Sequence, residues 1–572
     1  MIRHGLLLAW ESGMGIDSSG EILMRALIRM GYRVTSDREY PSLIKWGQAN
    51  YNINFADEPI RWASTDFILW LALGKEGLEY CLDNVKAWWT IVHNFEKREE
   101  AIPETETRAQ EKNITVHYIP TREYILEKGL HNLFENSLVI WAGAAALGIP
   151  YDQIHASFHH RYGKKEKLRP TNEACLKAGF EQISSWVLDL QVIEKTPQRM
   201  FVDWNTTLAM GAIHAGVRTY FAYPMSPSSS ILGYFAKTAP ETGIVVRQVE
   251  DEISAIQMSL GSMYAGTRSM TATSGWGFDL MTETISLSGM TEVPCVVAIA
   301  QRPGPATGLP TWTAQGDLML SIYAGHGEFA RIVIGVSDPL SAFELTQHAF
   351  NLAELYQVPV IILTEKLIAE NHQTVLPFEQ WTIEIQRGLV TWERELAALV
   401  PSDRYKITDS WVSKRWVPTH SETIAYANGD EHHEDGTLNE SEGAGDMILK
   451  RVRKTEAIKK ALPDPVLYWK KSWKKLYIGR WSTLGLFQDI IDYEKPEWVS
   501  YLHIAYLFPV KAEFLEKICA EFDEVIIIEN NASGQLHTLL KTELSSNISL
   551  SNFKKRNGRQ FSIQEVLSHI NQ

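Results

Sequence analysis

Cysteine is scarce in this sequence: four in 572 residues, Cys81, Cys175, Cys295 and Cys519, with no C-x-x-C pair and no metal-ligand spacing. That excludes a disulfide framework and an iron–sulfur cluster carried by this chain, and it predicts a reducing, cytoplasmic compartment. Positive charge is also in deficit, with 55 Lys and Arg against 69 Asp and Glu and a formal net charge of −14. No basic footprint for nucleic acid follows from such a balance. Long apolar runs are missing as well. The strongest, Phe67 to Leu73 and Val293 to Ala300, fall far short of the roughly 20 residues a bilayer-spanning helix needs, so no membrane span is expected. The apolar start is cut off by Glu11 without a cleavage-like region and reads as a first strand rather than a signal peptide.

What is present is the composition of packed globular domains, 45% hydrophobic and 22% charged, in a chain long enough for about three or four of them. The pattern is α/β. A first domain, residues 1–188, opens as strand, Gly13-Met14-Gly15, helix from about Ser19 to Met30, and strand from Gly31 to Val34. Such a βαβ opening suits an anion at a helix N-terminus, but the full G-x-G-x-x-G spacing is lacking and only Asp37 or Glu39 follows as a ribose-binding acid. Residues 189–204 read as a linker and 205–370 as a second α/β domain. Residues 371–465 turn polar and read as an extended connection, and 466–572 form a compact C-terminal α/β domain with strands at Leu476 to Ile478, Trp498 to Ile504 and Glu524 to Glu529.

In the second domain Asn205 is expected to cap a helix from Thr206 to Ala215. Three segments then carry ligand-type residues at the ends of expected strands. Tyr223 to Ser230 sets two prolines among hydroxyls, Glu250-Asp251-Glu252 opens a small-residue helix, and Thr271 to Gly277 ends in hydroxyls and glycines. Each has a structural alternative: a capped turn for the first, acids favourable to a helix dipole for the second. Outside this domain, His155, His159 and His160 include a pair one helical turn apart, a spacing that suits a metal. No carboxylate at motif spacing joins them, so they read as surface or packing residues, and the acids and histidines of 428–436 read as connection rather than cation site. No metal site is predicted for this chain.

Taken together the motifs resemble one family. Glu39-Tyr40-Pro41-Ser42-Leu43-Ile44, Tyr223-Pro224-Met225-Ser226-Pro227-Ser228, Glu250-Asp251-Glu252 and Met270 to Gly275 carry the likeness, followed by Gln301-Arg302-Pro303-Gly304-Pro305 and Gly308 to Thr311. It continues through Gln315-Gly316-Asp317-Leu318, Gly325-His326-Gly327-Glu328, Asn428 to His432, Phe508-Pro509 and Glu529 to Leu536. Over essentially its whole length the chain resembles the 2-oxoacid:ferredoxin oxidoreductases in which a γ-type domain precedes the α-type subunit.

That resemblance implies an α/β multidomain fold: a γ-type domain, a thiamine-diphosphate pyrimidine-binding domain at 205–370, and a transketolase C-terminal-like domain. It implies Glu252 as the catalytic carboxylate that helps activate the cofactor, with Glu250 as fallback, and Tyr223, Pro224, Thr273 and Ser274 as cofactor contacts. Ser226, Ser228, Arg302, Trp276 and Trp312 fall at the substrate end, and Lys45 at a weak coenzyme A or anion contact. The implied activity is oxidative decarboxylation of a 2-oxoacid, by default 2-oxoglutarate, to its acyl-CoA with electrons passed to ferredoxin. The sequence holds no Gly-Asp-Gly and no clustered cysteines. Magnesium, the diphosphate site and a [4Fe-4S] cluster are therefore expected on a β-type partner, in a dimer of heterodimers. The chain departs from the family pattern where Trp276 interrupts T-S-G-P-G and Trp312 replaces the arginine of P-T-R-T-E-Q-G-D. Indole offers one donor where guanidinium offers a fork, so a specialised relative for a bulky or aromatic substrate is the alternative, with a non-catalytic scaffold as a third reading.

Overall fold

Strands form where apolar residues run together or alternate, and the two patterns separate the two sheets of this protein's ligand-bearing and leading parts. The computed structural model describes residues 3–11, 13–40, 47–62, 67–86, 89–94, 102–163, 169–183, 187–193, 199–378, 383–391, 395, 398–418, 424–470 and 474–572. The chain divides into two compact units, Met1–Phe201 with Asn371–Pro377, and Val202–Glu370 with Phe378–Gln572.

In the first unit, Gln48–Ala56 alternates asparagines with Tyr51, Ile53 and Phe55, and those three are buried, as period-2 patterning requires. The strand pairs antiparallel with Arg3–Glu11 on one side and Arg33–Glu39 on the other. The opening is therefore not the simple βαβ unit expected: an antiparallel strand separates its two strands. Leu69–Leu73, Thr90–Asn94 and Thr115–Ile119 continue the sheet in parallel from the other edge of Arg3–Glu11. The first helix is Ile16–Arg29, entered through Gly15 at φ 78°, a left-handed conformation that glycine adopts without steric cost.

In the second unit, Cys295–Gln301 and Pro359–Glu365 are buried at every residue. Continuous burial is the mark of central strands in a parallel sheet covered on both faces. The sheet order is Tyr506–Phe508, Ile332–Gly335, Pro359–Glu365, Cys295–Gln301, Ser269–Thr273, Thr219–Ala222, Val245–Gln248. Only Tyr506–Phe508 among these pairs antiparallel. A further sheet, Val466–Lys470, Val499–His503, Lys475–Gly479, Glu524–Glu529 and Leu550–Lys554, builds the C-terminal α/β part.

Two expected boundaries differ from what is observed. The C-terminal part is not a separate compact unit, because Tyr506–Phe508 is a strand of the neighbouring sheet and one hydrophobic core runs through both. The stretch 371–465 is not merely an extended connection. His372–Val375 joins the first unit's sheet beside Arg33–Glu39, and Ala444–Ala461 is an 18-residue helix. That helix escaped notice because its buried face is cationic. Lys450 and Lys454 both reach the Glu292 carboxylate, the former at 2.6 Å, and Arg451 pairs with Glu431. Burial opposes the charge of Glu292, yet the two lysines more than offset it and hold the carboxyl well below its usual range. Hydrophobic periodicity does not register a face of this kind.

Candidate active site

Four neighbouring strands of the second unit, Val245–Gln248, Thr219–Ala222, Ser269–Thr273 and Cys295–Gln301, run parallel. The segments leaving their carboxyl ends therefore lie on one edge of the sheet, where open α/β sheets bind ligands. Those segments begin at Val249, Tyr223, Ser274 and Arg302.

After Thr219–Ala222 the chain turns through a cis Ser226–Pro227 peptide. Ser228 is buried and its hydroxyl donates to Met225 O at 2.8 Å. Asn205, expected as a helix cap, instead donates its amide to Pro227 O at 2.9 Å and to Ser230 Oγ at 2.7 Å. The cap is Asp203, whose carboxylate accepts from Thr206 N at 2.8 Å and Thr206 Oγ1 at 2.7 Å. Asp203 has the extended backbone a cap needs, and the helix Trp204–His214 already contains Asn205.

After Val245–Gln248 the three acids divide their work. Asp251 caps the helix Glu252–Tyr264, accepting from Ser254 N at 2.7 Å. Glu250 is exposed, whereas Glu252 is buried in the first helical turn. A methyl group built on Gly277 would stand 2.2 Å from Thr273 Oγ1 and 2.6 Å from Glu252 Oε1. A side chain at 277 would therefore collide with both, and glycine leaves room for them. Among the described residues Thr273 Oγ1 and Ser274 Oγ are buried without a hydrogen-bond partner, which is unusual for buried hydroxyls.

A second carboxyl stands on the other side of the same turn. A methyl group on Gly275 would fall 2.4 Å from Asp317 Oδ2. Burial pushes the Asp317 carboxyl up to about 7, with the charge of Asp279 adding to the rise and Arg302 opposing it. Arg302 is buried and donates to Ser226 O at 2.7 Å, while its Nε makes no hydrogen bond among the described residues. Asp317 is held from behind: its backbone N–H donates to Gln301 Oε1 at 2.9 Å.

The C-terminal part clasps this loop. Gln315 N donates to Asn530 O at 2.7 Å, and Asn530 N returns a bond to Gln315 Oε1 at 3.1 Å. Gln535 Nε2 donates to Gly316 O at 2.5 Å and Gln535 Oε1 accepts from Met319 N at 3.0 Å. Behind them Glu529 accepts from Leu536 N at 2.9 Å and His537 N at 3.2 Å, an anion set on the first turn of the helix Gln535–Glu543. Buried Glu365 adds Thr313 Oγ1 at 3.0 Å and Gln315 Nε2 at 3.3 Å.

Residues 210–432 match the family described as pyruvate flavodoxin/ferredoxin oxidoreductase, thiamine diP-binding, and residues 6–182 match pyruvate ferredoxin/flavodoxin oxidoreductase. The 2-oxoglutarate synthase subunit KorA of Methanocaldococcus jannaschii is 30% identical, with 59% of this chain and 89% of that protein aligned. The chain belongs to the 2-oxoacid:ferredoxin oxidoreductase family. The 2-oxoacid:ferredoxin oxidoreductase subunit alpha of a Sulfolobus species is 29% identical over 99% of this chain and 96% of its own length. The solved 2-oxoglutarate:ferredoxin oxidoreductase from Magnetococcus marinus, with 2-oxoglutarate, coenzyme A and succinyl-CoA bound, superposes with a TM-score of 0.90 at 27% identity, covering 100% of this chain and 99% of that one.

In this 2-oxoacid:ferredoxin oxidoreductase the residues singled out from sequence scatter less than their numbering suggests. Glu252, Thr273, Ser274, Ser226, Ser228 and Arg302 all lie at the shared strand ends described above. Tyr223, Pro224 and Trp276 are exposed there, Trp276 to 47%. Trp312 has a partner no motif announced: the Arg559 guanidinium lies 4.5 Å over its ring, and Gly558 O accepts from the next residue's N–H at 3.0 Å. Lys45 falls outside the described residues. Sequence reasoning missed Asn205, Gln301 and Asp317 as site residues, although Gln301 and Asp317 both stood in quoted motifs. In the first unit the Gly13–Gly15 turn borders a cavity of about 420 Å³ lined also by Ser19, Asn136 and Trp141.

Proposed function

We propose that this chain is the α-type subunit of an enzyme that oxidatively decarboxylates a 2-oxoacid to its acyl-CoA, passing the electrons singly to ferredoxin. The observation that carries this reading is Glu252, a buried carboxyl that packs, like the Thr273 hydroxyl, against Gly277 at the carboxyl end of a parallel sheet. The residues present fit thiamine diphosphate: a carboxyl suited to a ring nitrogen, and the orphaned hydroxyls of Thr273 and Ser274 beside it. When bound, thiamine diphosphate supplies a carbanion that adds to the 2-oxo carbon and accommodates the electrons left when carbon dioxide departs.

With thiamine diphosphate bound, Glu252 would share a proton with a nitrogen of its aminopyrimidine ring, a general acid–base role suited to a carboxyl out of water. Tyr223, Pro224, Thr273 and Ser274 would help hold that ring. Arg302, with Ser226 and Ser228 beside it, draws the substrate carboxylate, its planar donors matching two oxygens. Asp317 holds a proton close to neutral pH on the same edge. 2-Oxoglutarate is the default substrate, supported by the ligands of the M. marinus structure and the name of the M. jannaschii relative. The exposed indole of Trp276 favours a second reading, a bulkier or aromatic 2-oxoacid.

Magnesium, the diphosphate contacts and a [4Fe-4S] cluster are assigned to a β-type partner, so the working site is shared between subunits. Four free, buried cysteines agree with a reducing cytoplasm. The test is to co-purify the chain with its β-type partner and follow dye reduction across aliphatic, dicarboxylic and aromatic 2-oxoacids, with and without coenzyme A. Reduction dependent on coenzyme A and fastest with 2-oxoglutarate is expected. Turnover confined to aromatic acids transfers the assignment to the second reading, and none with any 2-oxoacid contradicts both.

A further inference from the structure

We propose that His155, His159 and Glu173 form a binding site for a divalent transition-metal ion of the zinc class in the first unit, distinct from the candidate active site. The pair of imidazoles lies one turn apart on the helix Tyr151–Tyr162, so both project from one face. Their rings stand 4.5 Å apart between centroids. The carboxylate that sequence spacing did not provide comes from a second helix, Arg169–Phe180. Glu173 Oε1 lies 2.9 Å from His159 Nε2, and one ligand atom from each of the three residues falls within 4.8 Å of the others. Among the described residues this is the single cluster of three or more His, Cys, Asp or Glu side chains so arranged.

The geometry needs little adjustment. With metal–ligand bonds of about 2.0–2.1 Å, tetrahedral donors stand about 3.3 Å apart. The His159–Glu173 separation of 2.9 Å lies near that value, and His155, whose ligand atom lies within 4.8 Å of both, would have to draw closer. Two nitrogens and one carboxylate oxygen leave a fourth position for water, a donor set that suits zinc better than calcium or magnesium, which prefer all-oxygen shells. The site is half-buried, and the Tyr151 ring stacks on His155 at 5.7 Å between centroids. One cation competes: Arg169 Nε lies 3.9 Å from the same Glu173 oxygen, reaching in from a more exposed position. A bound ion would tie the two helices together, which stabilises the fold by mass action.

The full-length chain, dialysed against a chelator and titrated with zinc alone, provides the test. Wild type should retain about one zinc per chain more than His159→Ala or Glu173→Gln, with affinity falling roughly tenfold or more in either variant and in His155→Gln. His160→Ala should match wild type, and Arg169→Ala should bind more tightly. Zinc should raise the unfolding temperature of wild type and His160→Ala but not of His159→Ala, whose circular dichroism should remain that of wild type. Equal zinc retention by wild type, His159→Ala and Glu173→Gln would overturn the site and leave only the His159–Glu173 ion pair.

Discussion

Glu252 and Asp317 flank one glycine-rich turn, and their surroundings give them different tasks. Glu252 packs against Gly277, while Asp317 packs against Gly275, where burial and the charge of Asp279 raise its carboxyl and Arg302 opposes the rise. Glu252→Gln keeps the volume and removes the titratable proton. It should lower 2-oxoacid-dependent dye reduction by roughly 10²–10⁴-fold while leaving the unfolding midpoint close to wild type. Asp317 predicts a pH dependence whose sign follows from its raised value. An unfolded aspartate titrates near its usual value of about 3.9, whereas the folded one titrates at about 7. Stability from the protonated group is present below the unfolded value, declines as pH rises towards the folded value, and is constant above it. Asp317→Asn removes that decline. The stability of Asp317→Asn relative to wild type should therefore increase between about pH 4 and 7, by roughly 1 kcal/mol or more, in denaturant titrations at each pH. A difference independent of pH contradicts the assignment.

At the scale of elements, the helix beginning at Glu252 offers a paired test. Gly277→Ala places a methyl group against Glu252 and Thr273 and should cost about 1–3 kcal/mol through overpacking, with activity lost as Glu252 is displaced. Gly261→Ala, inside the helix Glu252–Tyr264, meets nothing within 4 Å and should stabilise by up to about 1 kcal/mol. Thermal unfolding and dye reduction of the two variants check both directions. The central strands Cys295–Gln301 and Pro359–Glu365 are legible in the sequence because they are buried at every residue, and Glu524–Glu529 matches its expected bounds. The ligand loops were readable because hydroxyls, prolines and glycines sit at strand ends. Other features depend on partners the local pattern does not contain. The cationic face of Ala444–Ala461 is satisfied by Glu292 and Glu431, and the clasp on Gln315 and Gly316 comes from Asn530 and Gln535, more than 200 residues away. Asn205 and Asp203 have equal side-chain claims to the cap, and only the backbone decides between them.

At the scale of the whole molecule, the family assignment rests on the full length of the chain, and the C-terminal part has a defined place in it. Its strand Tyr506–Phe508 extends the second unit's sheet, and its Glu529–Gln535 segment fixes the loop carrying Asp317. The site so built supplies carboxyls, hydroxyls and one buried guanidinium. As proposed above, diphosphate, magnesium and electron transfer belong to a β-type partner. The most direct test is 2-oxoglutarate-driven reduction of a one-electron dye by the chain alone, the partner alone and an equimolar mixture, each supplied with thiamine diphosphate, magnesium and coenzyme A. Reduction in the mixture only, abolished there by Glu252→Gln, is the predicted result; equal rates in the mixture for wild type and Glu252→Gln, or turnover by the partner alone, would contradict it.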